Sequence, residues 1–500
     1  MPVNTQSKEY QKFSRQWAIV RDCVEGQIAI KDAGETYLPR PAGQSKKDYS
    51  SYKDRAVFFD GTSRTAEGLH GHIFAKDPVQ EGEDIISDEF KELLNNVDAS
   101  GTSLDEYMSG TTWDSLQAPW GGHLVDYTQI APGTSQADST GRAYLKWYSA
   151  ESVYNCRYSV IGGARKLTKV VLREDIEEQD PKDEFETNIT EAYRVLSFDD
   201  QGNYIQRVFV KDKNVHSGFS ASEPIYPKIN GESLNFIPFY TSPGEVPEKS
   251  MLLGLAFENI GHYQKTAEYE NGLFLTSVPT PIAENMEEPY KEIEEKYIDE
   301  SGVERKRKKK EPVKMSMGGS QFKFFYQRNS DGSIADVRVK FLEFSGAGMG
   351  ELLSALNGCL DRMAKLGIQA IGAEKKGVET AEVAKIHRAS EHGVLGAFAR
   401  SSSSKITEAV RFMAKWNSID ETEVDSWSYQ LNTDFNYSEI SAQILSIMHT
   451  ARQSDEIPRS VWFTALKKHG MVPESMSFDN FLAEIEKSNT GGHGPDEQAA

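Results

Sequence analysis

Between Ser250 and Trp416 the chain reads as a helix, a β-rich insert, a second helix and then a third, and few compact folds accommodate that order. The first helix is expected over Met251 to Leu275. Leu252, Leu253, Ala256, Ile260, Tyr263, Ala267 and Phe274 recur mostly by threes and fours and so share one face. Pro279 and Pro281 stop it. The second opens after Ser345-Gly-Ala-Gly-Met-Gly350 and is lined by Met349, Leu352, Leu353, Leu356, Leu360, Met363 and Leu366. The third starts near Glu379-Thr-Ala-Glu-Val383 and reaches Trp416. Gly367 to Val378, with three glycines and the adjacent Lys375 and Lys376, separates the last two as a cationic loop. An enzyme core more often alternates short strands and helices. Here the two apolar stripes are free to pair with each other and with copies of themselves, and a lone copy is expected to leave them unsatisfied.

Charge narrows the function classes. The 500 residues include 76 acidic and 56 basic side chains, a formal net charge of −20. Such a field repels phosphate, which excludes a general nucleic-acid coat but suits a channel through which DNA slides without sticking. The three cysteines, Cys23, Cys156 and Cys359, are far apart and form no CxxC pair, as expected of reduced thiols in a cytosolic setting. The N-terminus is polar, so no signal peptide is expected, and no run approaches eighteen apolar residues, so no membrane span is expected either.

Along the chain, Gln11 to Ile30 reads as a helix, Tyr49 to Phe59 as another ending near Gly61, and Glu89 to Val97 and Ser103 to Leu116 as two more. Gly121 to Asp126 reads as a strand, followed by a surface loop to Gly141. From Ala143 to Tyr240 the signal is β: residues 144–148, 169–173, 192–196 and 204–210 are β-branched or aromatic, with turn residues between them. Glu177 to Glu186 reads as an acidic loop. In the insert, Glu287 to Glu304 is charged and expected to be helical in part. Six basic residues follow, and Phe322 to Tyr326 and Val337 to Phe341 are expected to flank the turn Asn329-Ser-Asp-Gly332 as a hairpin. A short strand over Ser426 to Leu431 precedes helices at Ile440 to Ala451, Ser460 to His469 and Asp479 to Lys487. The polar end from Asn489 is expected to be disordered.

Chemistry-bearing motifs are few. Phe344-Ser-Gly-Ala-Gly-Met-Gly350 between a strand and a helix invites a phosphate-binding reading. The dinucleotide fingerprint, however, needs glycine where Glu351 stands, and there is no P-loop, so a flexible hinge is the plainer reading. His387-Arg-Ala-Ser-Glu-His392 misses both zincin spacings, and His70 and His72 lie in an expected strand or loop without a cysteine nearby, so no metal ligand is assigned. No catalytic residue and no cofactor-binding residue is assigned. The run Arg305, Lys306, Arg307, Lys308, Lys309, Lys310 is either a solvated loop or a contact for DNA phosphates or an acidic partner. Lys375 and Lys376 are exposed loop charges or transient phosphate contacts. Ser401 to Ser404 marks a kink or an exposed turn in the third helix.

In their order, several stretches resemble the portal proteins of tailed bacteriophages. Ala56-Val-Phe-Phe-Asp-Gly-Thr-Ser-Arg-Thr65 looks like the early family motif, and Gly141 to Glu151 with Val170-Val-Leu-Arg-Glu174 resembles the wing sheet. Asn259-Ile-Gly-His-Tyr263 through Pro279-Thr-Pro281, and Phe341 to Gly367 with Glu379-Thr-Ala381, resemble the two stem helices, the tunnel loop and the long wing helix. The resemblance runs over about residues 45 to 487, and the basic run departs from it. It implies an α+β portal fold with wing, stem, clip and crown domains. Residues 1–250 would be an N-terminal arm and α/β wing, 251–275 and 344–367 the stem, 276–343 the clip and 368–378 the tunnel loop. Residues 379–434 would be the long wing helix and strand, 435–487 a helical crown and 488–500 a disordered tail. The implied function is a homododecameric ring at one capsid vertex, assembled in the host cytoplasm and resident in the virion. Double-stranded DNA would be packaged and ejected through it. Its implied partners are the terminase large subunit, then the head–tail adaptor, with the major capsid protein and scaffold; no cofactor, catalysis or membrane is implied. Two other classes compete: a nucleotide-binding hydrolase using Gly346 to Gly350, and a monomeric scaffold or adaptor.

Overall fold

The computed structural model describes residues 2–128, 141–180, 183–213, 215–216, 218–276, 280–284, 286–287, 290–298, 304–312, 325–326, 329–333, 338–342, 347–371, 381–433, 435, 447, 449–452, 454, 457–468, 471–472 and 476–490. Its runs of helix and its antiparallel sheets occupy separate stretches of chain, so the fold is α+β as expected.

The N-terminal helices are α1 (Lys8–Glu25), α2 (Gln27–Asp32), α3 (Lys46–Arg55) and α4 (Gly61–Ile73). After the short strand β1 (Val79–Glu81) come α5 (Asp88–Leu94) and α6 (Leu104–Gln117). Serines 7, 45, 87 and 103 cap α1, α3, α5 and α6, each hydroxyl accepting an amide of the first turn that the helix itself leaves unpaired. Two boundaries differ from expectation. Gly26, at φ 96°, breaks the first expected helix in two. The helix expected to end near Gly61 stops at Arg55, and Gly61 opens α4 instead, which takes in His70 and His72. The buried stripe Thr62, Thr65, Ala66, Leu69 and Ile73 has helical spacing, which the alternating histidines mask.

The sheet region holds β2 (Gly121–Tyr127), β3 (Ala143–Ser149), β4 (Val153–Ile161), β5 (Ala164–Arg173), β6 (Ile176–Asp180), β7 (Asp183–Thr190), β8 (Ala192–Phe198), β9 (Tyr204–Lys211) and β10 (Phe219–Ala221). The small pair β11 (Lys228–Ile229) and β12 (Glu232–Ser233) and then β13 (Phe239–Thr241) complete it. One antiparallel sheet has the order β10-β9-β8-β5-β4 and another the order β13-β2-β3. The stretch expected to be an acidic loop is the hairpin β6–β7.

Downstream lie α7 (Leu253–Thr276), then the insert strands β14 (Thr280–Glu284), β15 (Met286–Glu287), β16 (Tyr290–Ile298), β17 (Glu304–Pro312), β18 (Phe325–Tyr326) and β19 (Arg338–Leu342). Helices α8 (Ala347–Ile371), α9 (Ala381–Trp416) and α10 (Glu421–Ser426) follow, then β20 (Ser428–Gln430), which pairs with β1, and helices Arg459–Lys468 and Phe478–Thr490. The helix expected over Ile440 to Ala451 falls largely outside the described residues.

The chain forms two compact units. One comprises Met1–Asp32, Phe59–Ile260 and Asp361–Ala500, the other Ala33–Phe58 and Gly261–Leu360. In the first, α9 lays Ile406, Ala409, Val410, Met413 and Ala414, all fully buried, towards β2, β3 and β13. Gly122 admits the Phe239 ring, because a Cβ there would stand 2.2 Å from the ring's Cζ. Ser401 to Ser404 lie within the unbroken helix α9, and of the four only Ser404 is exposed. Ser402 and Ser403 are buried, and the Ser403 hydroxyl donates to the Ala399 carbonyl at 2.7 Å and accepts the Leu431 amide at 3.0 Å. Small polar residues let an irregular segment lie against the helix with its backbone satisfied. Arg194 ties the two sheets together through Asp126 at 2.9 Å and Glu174 at 2.8 Å. Although burial works against it, the cations Arg194 and Lys146 hold the Glu174 carboxyl down at about 2. In the second unit, Tyr37, Leu38, Tyr52 and Phe58 are buried, as are Tyr263 and Ala267 of α7, and the Arg55 guanidinium lies 4.2 Å from the Phe274 ring centre.

Two stretches far apart in sequence meet at the fully buried Asn259. Its Nδ2 donates to the Phe59 carbonyl at 2.7 Å, and its Oδ1 accepts from the Thr62 amide and the Thr62 hydroxyl, each at 3.2 Å. A side chain of α7 thereby satisfies the start of α4. Asn259→Ala strands these groups without water and is expected to lower stability by about 2–3 kcal/mol. Urea unfolding followed by circular dichroism checks this; a loss under about 0.5 kcal/mol contradicts it.

Candidate functional site

The stretch that organises the sequence places two helices side by side. Within the first unit, Arg362 Nε of α8 donates to Glu258 Oε2 of α7 at 3.0 Å. A Cβ on Gly367 would lie 3.7 Å from Leu255 of α7 and 2.6 Å from the Thr65 hydroxyl of α4, so glycine is what lets α8 approach α4. Within the second unit, a Cβ on Gly272 would lie 2.6 Å from Met349 Sδ. Within the first unit, from Leu255 to Glu258 the partners in α8 descend from Gly367 to Arg362, so the two helices run antiparallel there.

The expectation that the stripes need a neighbouring copy requires correction for α7, though not for α8. Leu252, Leu253, Ala256, Ile260, Tyr263 and Ala267 are buried by the chain itself, as are Leu356, Cys359 and Met363. Leu353 and Leu366 of α8 and Phe257 of α7 remain exposed, at 45%, 45% and 55%. Most of the α7 stripe is internal core, because the N-terminal segments, which carry no obvious mark of this role, supply the opposing surface, whereas of the seven α8 stripe residues only Leu356 and Met363 are buried.

Between the helices the chain leaves and returns as a nested antiparallel ribbon. β14 pairs with β19, β15 with β18 and β16 with β17. The hairpin expected about Asn329 to Gly332 lies partly outside the described residues. Among its described residues the turn closes through the Gly332 amide to the Asn329 carbonyl and the Asn329 amide to the Ser333 carbonyl, each at 2.9 Å, while Phe325–Tyr326 pairs with β15 and Arg338–Leu342 with β14. Glu287 to Glu304 is likewise strand rather than helix over 290–298, because alternation with the basic strand opposite outweighs the helix propensity of its glutamates.

The pairing decides the surroundings of the basic run. Lys306 meets Glu294 at 2.9 Å, Arg307 meets Glu295 at 2.5 Å, and Lys308 and Lys309 meet Glu292 and Glu295 at 3.0 Å each. Lys291–Glu311 at 3.0 Å and Lys296–Glu304 at 2.6 Å extend the zipper in the opposite sense. The Arg307 guanidinium also lies 5.3 Å from the Tyr297 ring centre. Hydrogen bonds from Lys309 and then Arg307 lower the Glu295 pKa. Residues 290–312 hold eight basic and seven acidic side chains, so the ribbon is nearly neutral as a whole. Each exposed pair contributes little to stability on its own. Together they fix a rigid, two-faced charged ribbon whose cations already have counter-ions.

Lys310 is exposed, and the Arg305 side chain lies outside the described residues, as do Lys375 and Lys376. Of the glycine tract 346–350, Ala347 to Gly350 form the first turn of α8 rather than a loop. His70 sits in α4 with its Nε2 3.1 Å from the Ser109 carbonyl and its ring against Phe74 and Trp113, a packed structural histidine. The side chains of His387 and His392 lie outside the described residues. Among the described residues no three His, Cys, Asp or Glu side chains gather as a metal site, and no helix is long and apolar enough to cross a membrane. Asn259 and the glutamates of β16 had no mark in the sequence as functional residues. The one available signal was the period-two match of Glu292 and Glu294 to Lys306 and Lys308.

Residues 251–417 match the model of a domain of unknown function, DUF4055. No curated protein matches the chain. Among solved structures, a chain from the neck of an empty gene transfer agent (GTA) particle is 11% identical with a TM-score of 0.32, and one from the virion of a native gene transfer agent particle is 11% identical with a TM-score of 0.29. Each alignment covers 95% of this chain and 100% of the other. At these TM-scores neither likeness bears on fold or role. The family match begins two residues before α7 and ends one residue after α9, so it delimits helix pair, ribbon and long helix as one module.

Replacing Glu292, Glu294 and Glu295 together with Gln frees the cations of β17. Duplex DNA binding by fluorescence anisotropy at 50 mM salt is expected to strengthen at least tenfold over the parent chain and to fall back at 200 mM. Equal affinity for both proteins would show that the ribbon does not meet DNA even when unpaired.

Proposed function

We propose that this chain is the subunit of a portal-type ring at one vertex of a phage-like capsid, a passage for double-stranded DNA during packaging and ejection. The observation that carries the reading is the module over 251–417: two antiparallel helices, a β-ribbon excursion between them and a helix of 36 residues after them. In this reading α7 and α8 are the stem, the ribbon is the clip, α9 is the long wing helix, and the sheets with the N-terminal helices make up the wing. The net charge of −20 supports a lumen along which phosphates slide. The ribbon, stiff and self-neutralised, suits exchange of protein partners: the terminase large subunit first, the head–tail adaptor afterwards. Major capsid protein and scaffold would surround the wing. No step of this reading calls for catalysis, a cofactor or a membrane.

Mass photometry over a concentration series tests it. Twelve chains of 56.0 kDa give a closed ring of about 670 kDa. A chain that stays at 56.0 kDa at every concentration overturns the reading. For the channel, Lys375→Ala with Lys376→Ala is expected to leave ring formation intact and to change DNA packaging or retention in particles. Unchanged packaging removes those lysines from the mechanism.

A further inference from the structure

Two exposed hairpins of opposite charge stand at opposite ends of one strand line in the first unit. The tip of β4–β5 carries Arg157, Arg165, Lys166 and Lys169 and no acidic residue between 157 and 169. The β6–β7 hairpin, residues 176–190, carries six acidic residues and one lysine. The ladder joining them is continuous. Arg173 pairs with Tyr193, the Glu174 amide donates to the Ala192 carbonyl at 2.8 Å, and Ile176 pairs with Thr190. At about 3.3 Å per residue, the basic and acidic tips stand up to about 50 Å apart along that line.

Each tip also exposes apolar side chains that a solvated hairpin has no use for. On β7, Phe185 is 90% exposed, in the irregular stretch where the pairing with β6 shifts register, and Ile189 is 67% exposed. On the basic tip, Val160 is 75% exposed and Ile161 51%. Complementary charge with an apolar centre is the composition of a protein interface, and a hydrophobic anchor inside a polar rim is what makes such a contact hold.

We propose that the acidic β6–β7 hairpin of one copy docks on the basic β4–β5 tip of the next. The two patches differ and lie at different places on the subunit, so the contact is head-to-tail, the kind that closes rings rather than two-fold dimers. The inference rests on the ring reading and names one contact that holds the ring. Arg165 already meets Glu245 of its own chain at 3.0 Å, with both side chains about half exposed, so the incoming hairpin would share that cation rather than find it unpaired.

The test is a charge exchange on exposed positions, with circular dichroism to verify folding. Glu177→Lys, Glu178→Lys and Glu186→Lys make one variant; Arg157→Glu, Lys166→Glu and Lys169→Glu make the other. By mass photometry each variant alone is expected to lose at least tenfold in ring fraction at the concentration where the parent is half assembled. An equimolar mixture is expected to recover rings of alternating copies, because each variant then meets its opposite. Benzoylphenylalanine in place of Phe185 is expected to crosslink to residues 157–169 of another copy. If the parent forms rings and both variants do so equally well, the hairpin contact is wrong and the ring reading stands. If the parent never assembles, both fall together.

Discussion

Thr280 sits opposite Leu342 in the ladder that opens the insert, and that rung governs how the second long helix runs. A chain that leaves α7 and returns to its own starting strand must re-enter beside the place it left. The chain goes on as α8, which in the first unit runs antiparallel to α7 at Glu258–Arg362 and Leu255–Gly367. Within the second unit the close approach of Met349 to Gly272 follows from this return. So does the value of a ribbon over a loop: a nested ladder holds its two ends together at every rung, whereas a flexible excursion would have to be ordered at the helices alone.

The same ribbon shows how charge is handled in this acidic chain. Six consecutive cations would repel one another in a free loop. Placed on β17 opposite β16, four of them have a carboxylate within 3.0 Å, and the repulsion becomes a register-setting pattern. In the first unit the pairing is buried instead: Arg194 holds Asp126 and Glu174 where the two sheets meet. The two arrangements respond differently to salt, because exposed pairs are screened within a Debye length and buried ones much less so.

Helix periodicity was easy to read wherever one face is apolar over many turns. The spans expected for α7, α8 and α9 lie within a few residues of those observed, since Leu252 to Ala267 and Ile406 to Ala414 bury one face in each. The strands with β-branched runs, β5, β8 and β9, were legible for the same reason. The failures share a cause too. The acidic stretches Glu177 to Glu186 and Glu287 to Glu304 were read by composition as a loop and as helical in part, yet Ile176–Asp180, Asp183–Thr190 and Tyr290–Ile298 are strands. Their side chains face water or a partner strand, so no apolar alternation records the backbone state.

The sequence by itself determined the α+β character, the order of helix, insert, helix and helix, and the charge that makes phosphate an unwelcome binding partner. These are properties of local periodicity and of composition. Only the tertiary structure decided that the basic run is matched by its own carboxylates, that Ser402 and Ser403 lie buried, Ser403 bonding the Leu431 amide, and that Asn259 reaches back to Phe59 and Thr62. The last two join residues whose separation along the chain carries no periodic signal, and the period-two match of glutamates to lysines does not by itself say that the two stretches pair. Pairing across such gaps is chosen by the geometry of the whole fold.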